Sequence, residues 1–229
     1  MKPENSAPES CKAELAPKSP EGDLKKGSIN TPPLGGWGAN NPGGWGANLQ
    51  GNYKIFCNRL LERIEEKRIY HDPLHTLAFG TDASFYRLIP QLVVKAKDEE
   101  EVSFILKVAS EHSIPVTFRG AGTSLSGQAI TDSVLIMTCD GWKGYRVKDN
   151  GATISCQPGL TGGRINGILA PYGRKLGPDP ASVNSATIGG IAANNASGMS
   201  SGTDKTSLRT VRSMKIIMAD GALLDTGDE

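Results

Sequence analysis

The sequence predicts an α+β protein of two lobes, a small βαβ unit followed by a larger, mostly antiparallel β lobe with inserted helices. Three observations carry this. A run of β-formers, "LVVKA" (92–96), a helical pattern, "DEEEVSFILKVASEHS" (98–113), and a second short run, "VTF" (116–118), follow one another closely. The pattern then changes: "SVLIMT" (133–138), "GYRV" (144–147) and "ATISC" (152–156) are short, β-rich and separated by turn residues. Last, "VRSMKIIMA" (211–219) and "ALLDT" (222–226) are joined by a two-residue "DG" turn, the signal of a hairpin.

In chain order, residues 1–51 are crowded with Pro, Gly, Asn, Ser and Lys and hold few aliphatics. Such a segment cannot offset the entropy of ordering and is expected to be a disordered tail, with 52–229 as the folded domain. Its "GGWGANNP" (35–42) and "GGWGANLQ" (43–50) repeat Trp37 at Trp45, which reads as a duplicated linker, since two copies fall short of a stacked array. A helix is expected over 53–68, with Ile55, Leu60, Leu61 and Ile64 near its apolar face. "LHTLAFGTDASFYRLIP" (74–90) is a short helix and an irregular segment. Asp98 suits the N-cap of the next helix, acids fill its first turn, and Val102, Ile105, Leu106 and Ala109 form its stripe. That helix lets the strand after Pro115 run parallel to the strand before it, and delivers a glycine loop to the strand's carboxyl end. The first lobe is placed at about 70–130 and the second at about 131–229, with "TGGRINGILAPYG" (161–173) helical from about Arg164.

Composition excludes several classes. Net charge is +1, from 25 basic and 24 acidic residues that do not cluster, so neither nucleic acid nor an anionic membrane surface is favoured electrostatically. Cys11, Cys57, Cys139 and Cys156 form no CxxC pair, so no zinc site, iron–sulfur site or disulfide framework is expected. No apolar signal core and no run of about 18 apolar residues is present, which makes cytoplasm the default location.

Two loops carry the chemistry. Arg119, Gly120, Ala121, Gly122, Thr123 and Ser124, with Ser126, Gly127 and Gln128 behind them, put bare backbone and hydroxyls at the mouth of a strand. Without Cβ atoms, successive N–H groups can turn inward as a nest and hold an anion's oxygens. No Gly-Lys-Ser/Thr sequence closes the loop, and it lacks the third glycine of the dinucleotide fingerprint. Alone, it reads equally as a turn. In the second stretch, residues 176–203, Ile188, Ile191 and Ala192 interrupt small polar residues, which suggests a short helix with a glycine-rich start packed on something flat. Asn194, Asn195 and Ser197 then offer amides and a hydroxyl to a heterocycle or a pyrophosphate. Two such loops fit one extended ligand lying between them.

"FGTDAS" (79–84), Pro90 with Val93–Val94, "RGAGTSLSGQ" (119–128), "PDPAS" (178–182), "TIGG" (187–190), "ANNASG" (193–198) and "ADG" (219–221) occur in this order. The sequence thereby resembles the FAD-binding domain of the vanillyl-alcohol oxidase/p-cresol methylhydroxylase superfamily, in its glycolate oxidase and D-lactate dehydrogenase branch. The resemblance implies a two-lobed FAD-binding fold. It assigns the pyrophosphate to Arg119, Gly120, Ala121, Gly122, Thr123 and Ser124, with Gly127 and Gln128 completing the loop. It places Thr187, Gly190, Asn194, Ser197 and Gly198 on the flavin's other side, and Pro178 and Asp179 beside the isoalloxazine or ribityl chain. Members with covalent FAD often carry a histidine in the first loop; here Thr123 stands in that place, so FAD is expected to bind noncovalently. His71, His75 and His112 all precede the loop and read as surface or capping residues. Cys139 and Cys156 read as buried packing residues.

The resemblance further implies an oxidoreductase acting on a small D-2-hydroxy acid such as D-lactate or glycolate. Hydride would pass to flavin N5 and electrons to a quinone or an acceptor protein, in the cytoplasm or at the inner face of the membrane. The family continues past "ADG" into a cap domain, so the chain resembles an N-terminal fragment whose catalytic base lies elsewhere. Arg87 is a candidate for the substrate carboxylate, against a surface salt bridge. The alternative is a non-catalytic flavin-binding module or subunit.

Overall fold

The structure is a computed structural model that describes residues 49–138 and 140–227. The expected tail with its Trp37–Trp45 repeat, and Cys139, lie outside the described residues.

Short aliphatic runs build the first sheet, ordered β1-β2-β4-β3. Strand β1 (Ile69–Tyr70) pairs antiparallel with β2 (Leu92–Lys95). Strands β2 and β3 (Val116–Arg119) both run parallel to β4 (Val134–Met137), which lies between them. The parallel βαβ direction is as expected, but "SVLIMT", assigned above to the antiparallel lobe, is the inner parallel strand. Its four residues are all buried, and a run without polar alternation belongs where both faces are covered.

The crossover helix α3 (Glu99–Glu111) starts where Asp98 accepts the Glu101 N–H at 2.9 Å, and buries Val102, Ile105, Leu106, Val108 and Ala109. It packs with α1 (Gly51–Leu60) over Leu92, Val94, Val134 and Ile136. Helix α1 is shorter than the expected 53–68, and its buried side is Phe56, Cys57 and Leu60, joined beyond the helix by Ile64. Ile55 and Leu61 are 50% and 44% exposed, which corrects their place on the apolar face. The aromatic Phe56 takes the core position, and the buried stripe runs Phe56, Leu60, Ile64 at helical spacing, kept by the Leu61 and Ile64 amides on the Cys57 and Leu60 carbonyls, so Ile55 and Leu61 fall beside it. A bidentate Arg68–Glu101 pair, 2.6 and 2.7 Å, ties this N-terminal segment to α3. On the sheet's other face, α2 (Pro73–Ala78) precedes Phe79, which packs with Tyr70 on Val93, Leu135 and Met137.

The remainder is built from two antiparallel pairs and short helices, as the fold class requires. Strands β5 (Tyr145–Lys148) and β6 (Thr153–Cys156) pair, and α4 (Gly162–Leu169) packs Ile165 and Leu169 with Leu160, Val147 and Ile154. Helices α5 (Ile188–Ala193) and α6 (Ser207–Thr210) follow. Strands β7 (Lys215–Ile217) and β8 (Leu223–Asp225) close the hairpin. Its turn is longer than the two residues expected: Met218 N–H bonds the Ala222 carbonyl at 2.8 Å, leaving 219–221 in the loop. Gly221 there has φ +80°, the left-handed residue a three-residue loop demands. Among the described residues no helix is long and apolar enough to cross a membrane.

Candidate functional site

Strand β3 ends at Arg119, whose buried guanidinium donates from Nε to the Ala129 carbonyl at 2.7 Å and from Nη2 to the same oxygen. That arginine staples the two ends of the intervening loop. Within it, the Ser124 hydroxyl donates to Gln128 Oε1 at 3.0 Å and accepts the Ser126 and Gln128 amides at 3.2 and 3.4 Å. Gly122 and Gly127 have φ +67° and +72°, conformations that a side chain disfavours. The N–H groups of Ala121, Gly122, Thr123 and Ser124 donate no hydrogen bond among the described residues. Four consecutive uncommitted donors at a sheet's carboxyl edge suit an anion with several oxygens.

The second stretch meets the first at one point. Thr187, the N-cap of α5, is buried, and its Oγ1 stands where a Cβ on Gly120 would be. Gly190 lies on the same side, its would-be Cβ 3.6 Å from Thr187 Oγ1. The flat surface under the glycine-rich start is Pro158: a Cβ on Gly189 would lie 2.7 Å from the Pro158 Cβ, and the Gly189 N–H bonds the Pro158 carbonyl at 3.0 Å. Thr161 and Thr187 form an antiparallel bridge that fixes the entry to α5.

A further cluster gathers around Asp179. Its amide donates to the Ser197 carbonyl at 3.2 Å, its carboxylate accepts from Ser200 Oγ, and Lys175 Nζ stands 3.6 Å away. The Ser200 hydroxyl above all, then Lys175, hold the Asp179 carboxyl below its usual range despite some burial. Gly198 lies so close to the Asp179 carbonyl that no side chain fits between them. Pro178 is buried and Ser197 exposed. Asn194 donates to the Gly190 carbonyl at 3.2 Å; Asn195 adopts φ +46° and accepts the Leu208 amide at 2.8 Å, so both side chains finish α5.

Gly120 and Thr187 are thus brought into contact, as are Asp179, Ser197 and Gly198. Arg87 is exposed and takes part in a backbone bridge to Thr81. His75 Nδ1 lies 2.7 Å from Asp72 and its ring stacks on Tyr70, while His112 caps α3. Cys156 is half-buried rather than buried as expected; burial still pushes its thiol upward, and likewise that of Cys57 in the core. Sequence reasoning missed what supports the first loop: Asp82 and Tyr86 pack against Gly122 and Gly127, and only the "FGTDAS" motif hinted at it. Two open grooves of about 580 and 560 Å³ lie elsewhere, against α3 with the β7–β8 hairpin and against α1, and neither touches these loops.

A mostly parallel sheet that ends in an anion nest, joined to a glycine-rich helix start from a second lobe, defines a nucleotide-cofactor domain. The sequence profile of the FAD binding domain family matches residues 90–227, and the chain belongs to that family, whose cofactor is FAD. The chain is 34% identical to D-lactate dehydrogenase of Archaeoglobus fulgidus over 137 residues, 59% of this chain and 31% of the relative. It is 31% identical to the glycolate oxidase protein GlcD of Escherichia coli over 173 residues, 74% of this chain and 35% of the relative. It therefore spans about a third of the length of these curated relatives. Among solved structures, alkyldihydroxyacetonephosphate synthase superposes with TM-score 0.67 at 21% identity, covering 80% of this chain and 38% of that one. p-Cresol methylhydroxylase with substrate bound gives 0.66 at 16% identity, covering 78% and 36%. At these identities the likeness speaks for the fold, which is the two-lobed FAD-binding fold expected from sequence.

Proposed function

We propose that this chain is the cofactor lobe of an FAD-linked dehydrogenase whose substrate is a small D-2-hydroxy acid, in keeping with the D-lactate and glycolate enzymes it is similar to. The observation that carries the reading is the row of uncommitted amides at Ala121, Gly122, Thr123 and Ser124 beside Thr187. The residues fit the group: bare backbone for close approach, neutral hydroxyls and amides as donors, and left-handed glycines that turn the chain around an anion. When bound, FAD supplies a hydride acceptor for oxidation of the substrate's carbinol carbon.

In this reading the amides of 121–124 bind the diphosphate, with Gly120 kept bare so that Thr187 can close behind it. Arg119 acts through its backbone and by stapling the loop to Ala129, while Gly127 and Gln128 shape the turn around Ser124. Thr187, Gly190, Asn194, Ser197 and Gly198 line the flavin's other side, and Pro178 and Asp179 stand near the ring or ribityl chain. Thr123 has no nucleophilic nitrogen, so binding is noncovalent. Electrons leave to a quinone or an acceptor protein, with the enzyme in the cytoplasm or against the inner membrane face.

The test is titration of the full chain with FAD and with FMN, read by quenching of flavin fluorescence, followed by acid precipitation. Preference for FAD and a colourless precipitate are expected. Equal affinity for FMN would remove the diphosphate assignment, and a yellow pellet would remove noncovalent attachment.

A further inference from the structure

The family match begins at residue 90, yet the loop that carries the free amides is held by residues that come before it. Residues 80–88 close on themselves: Leu88 N–H donates to the Gly80 carbonyl at 3.1 Å, and Thr81 and Arg87 form an antiparallel bridge. Inside, Asp82 Oδ1 accepts the Ser84 amide at 2.8 Å and Ser84 Oγ accepts the Tyr86 amide at 3.2 Å. These side-chain turns fix the local backbone without help from a neighbouring element.

Three contacts reach from this small loop to the glycine loop. Ala83 N–H donates to the Gly122 carbonyl at 3.0 Å. The Cβ of Asp82 is 3.7 Å from the point where a Gly122 side chain would begin. The Tyr86 ring covers Gly127, its Cδ2 2.9 Å from the corresponding point there. Each of the two left-handed glycines of the glycine loop therefore has a partner in 80–88. Asp82 Oδ2 is buried and without a hydrogen-bond partner among the described residues. A carboxylate beside an anion site repels the anion, so attraction to the cofactor does not account for it. Burial disfavours its charge, yet the Ser84 hydroxyl and amide, the nearby Ala129 amide and Arg119 outweigh that, and the carboxyl lies below its usual range.

We infer that Asp82 is a positioning residue for the cofactor's diphosphate, and that residues 80–88, outside the matched domain, are a working part of the site. Asp82 shapes the 82–84 turn, the turn aims Ala83 N–H at the Gly122 carbonyl, and that bond holds Gly122 in the form that leaves the amides of 121–124 facing the ligand. Arg119, the charged group that faces Asp82, offsets its repulsion of a bound diphosphate. This rests on the reading that those amides hold the FAD diphosphate.

The experiment compares the full chain with its Asp82→Ala and Asp82→Asn variants. FAD and FMN are titrated by fluorescence quenching, and amide hydrogen exchange is followed at Ala83 and across α3. Asp82→Ala is expected to weaken FAD tenfold or more, to lower the preference for FAD over FMN, and to speed exchange at Ala83 while α3 stays protected. Asp82→Asn keeps an oxygen for the Ser84 amide and recovers most of the affinity. Unchanged FAD affinity in Asp82→Ala overturns the proposal, as does equal loss of FAD and FMN together with α3 protection, or an Asn variant no better than Ala. Failure of the unsubstituted chain to bind FAD brings down the cofactor assignment and this proposal together, a result recognisable before any variant is made.

Discussion

The hydroxyl of Thr187 fills the space that a side chain on Gly120 would need. Two loops far apart in sequence are thereby locked face to face. Gly120→Ala should cost about 1–3 kcal/mol of stability through overpacking and should weaken FAD binding. Adding Thr187→Ala removes the hydroxyl and should return part of that loss. A coupling of about 0.5–3 kcal/mol between the two changes is expected in urea unfolding, and strict additivity would mean the loops do not touch.

Gly122→Val tests the nest itself. At φ +67° a β-branched side chain is strained by about 1 kcal/mol or more, and it would crowd Arg119 and Asp82, which pack against this position and hold the loop. FAD affinity should fall about a hundredfold with the circular dichroism spectrum preserved. Gly167→Ala is the control: it lies on α4 with open space around it, so it should add about 0.5–1 kcal/mol of stability and leave affinity alone. Gly173 is a poorer control, because it ends the turn after α4 at φ +65°. Equal FAD affinity in the Gly122→Val and Gly167→Ala proteins would reduce the loop to a turn.

Gly198→Ala probes the other half of the cofactor. The new methyl would meet the Asp179 backbone carbonyl, which cannot rotate away as a side chain can. The 197–198 turn must then part from Asp179, costing about 1–3 kcal/mol. If this turn lies along the flavin ring, FMN and FAD affinities should fall together, unlike the FAD-selective loss from Gly122→Val. Retained FMN affinity would move Gly198 away from the flavin.

The Arg68–Glu101 pair sets a pH dependence. Burial opposes the charge on Glu101, but the Arg68 guanidinium and the Lys97 amide outweigh it and hold the carboxyl below its ordinary value. Its contribution is therefore complete above the unfolded value, about 4.3, and is lost as pH falls through the lower folded value. Glu101→Gln leaves the half-buried Arg68 without its bidentate counter-charge and should cost about 1–3 kcal/mol at neutral pH. Its stability should also fall less steeply in acid than the parent's. Parallel acid limbs in chemical denaturation would exclude Glu101 as the group responsible.

Sequence reasoning reached furthest where one residue has one local task. Asp98 caps α3 because its carboxylate meets an amide three residues on, and the α3 stripe follows from helical spacing alone. Asp220–Gly221 marked the last turn correctly but not its length, since turn type depends on how the strands meet. The apolar run of β4 was legible as a strand, whereas its neighbours were not: pairing order is a long-range property that four aliphatic residues do not encode. In the site, bare glycines announced an anion nest. Which residues keep them bare had no signal, because Thr187, Pro158 and Tyr86 are defined by proximity in space rather than by spacing in sequence.

The position of β4 has a consequence for synthesis. Strands β2 and β3 are made first, and each needs β4 as its parallel neighbour. Until β4 is made, the emerging chain can offer only the β1–β2 pair and a lone β3, each with an unpaired inner edge. Those edges offer the same ladder to any passing strand, and a slow stretch of translation before residue 137 prolongs the offer. Residues 134–137 supply the partner for both ladders, so the four-stranded sheet cannot be completed in chain order and waits for β4.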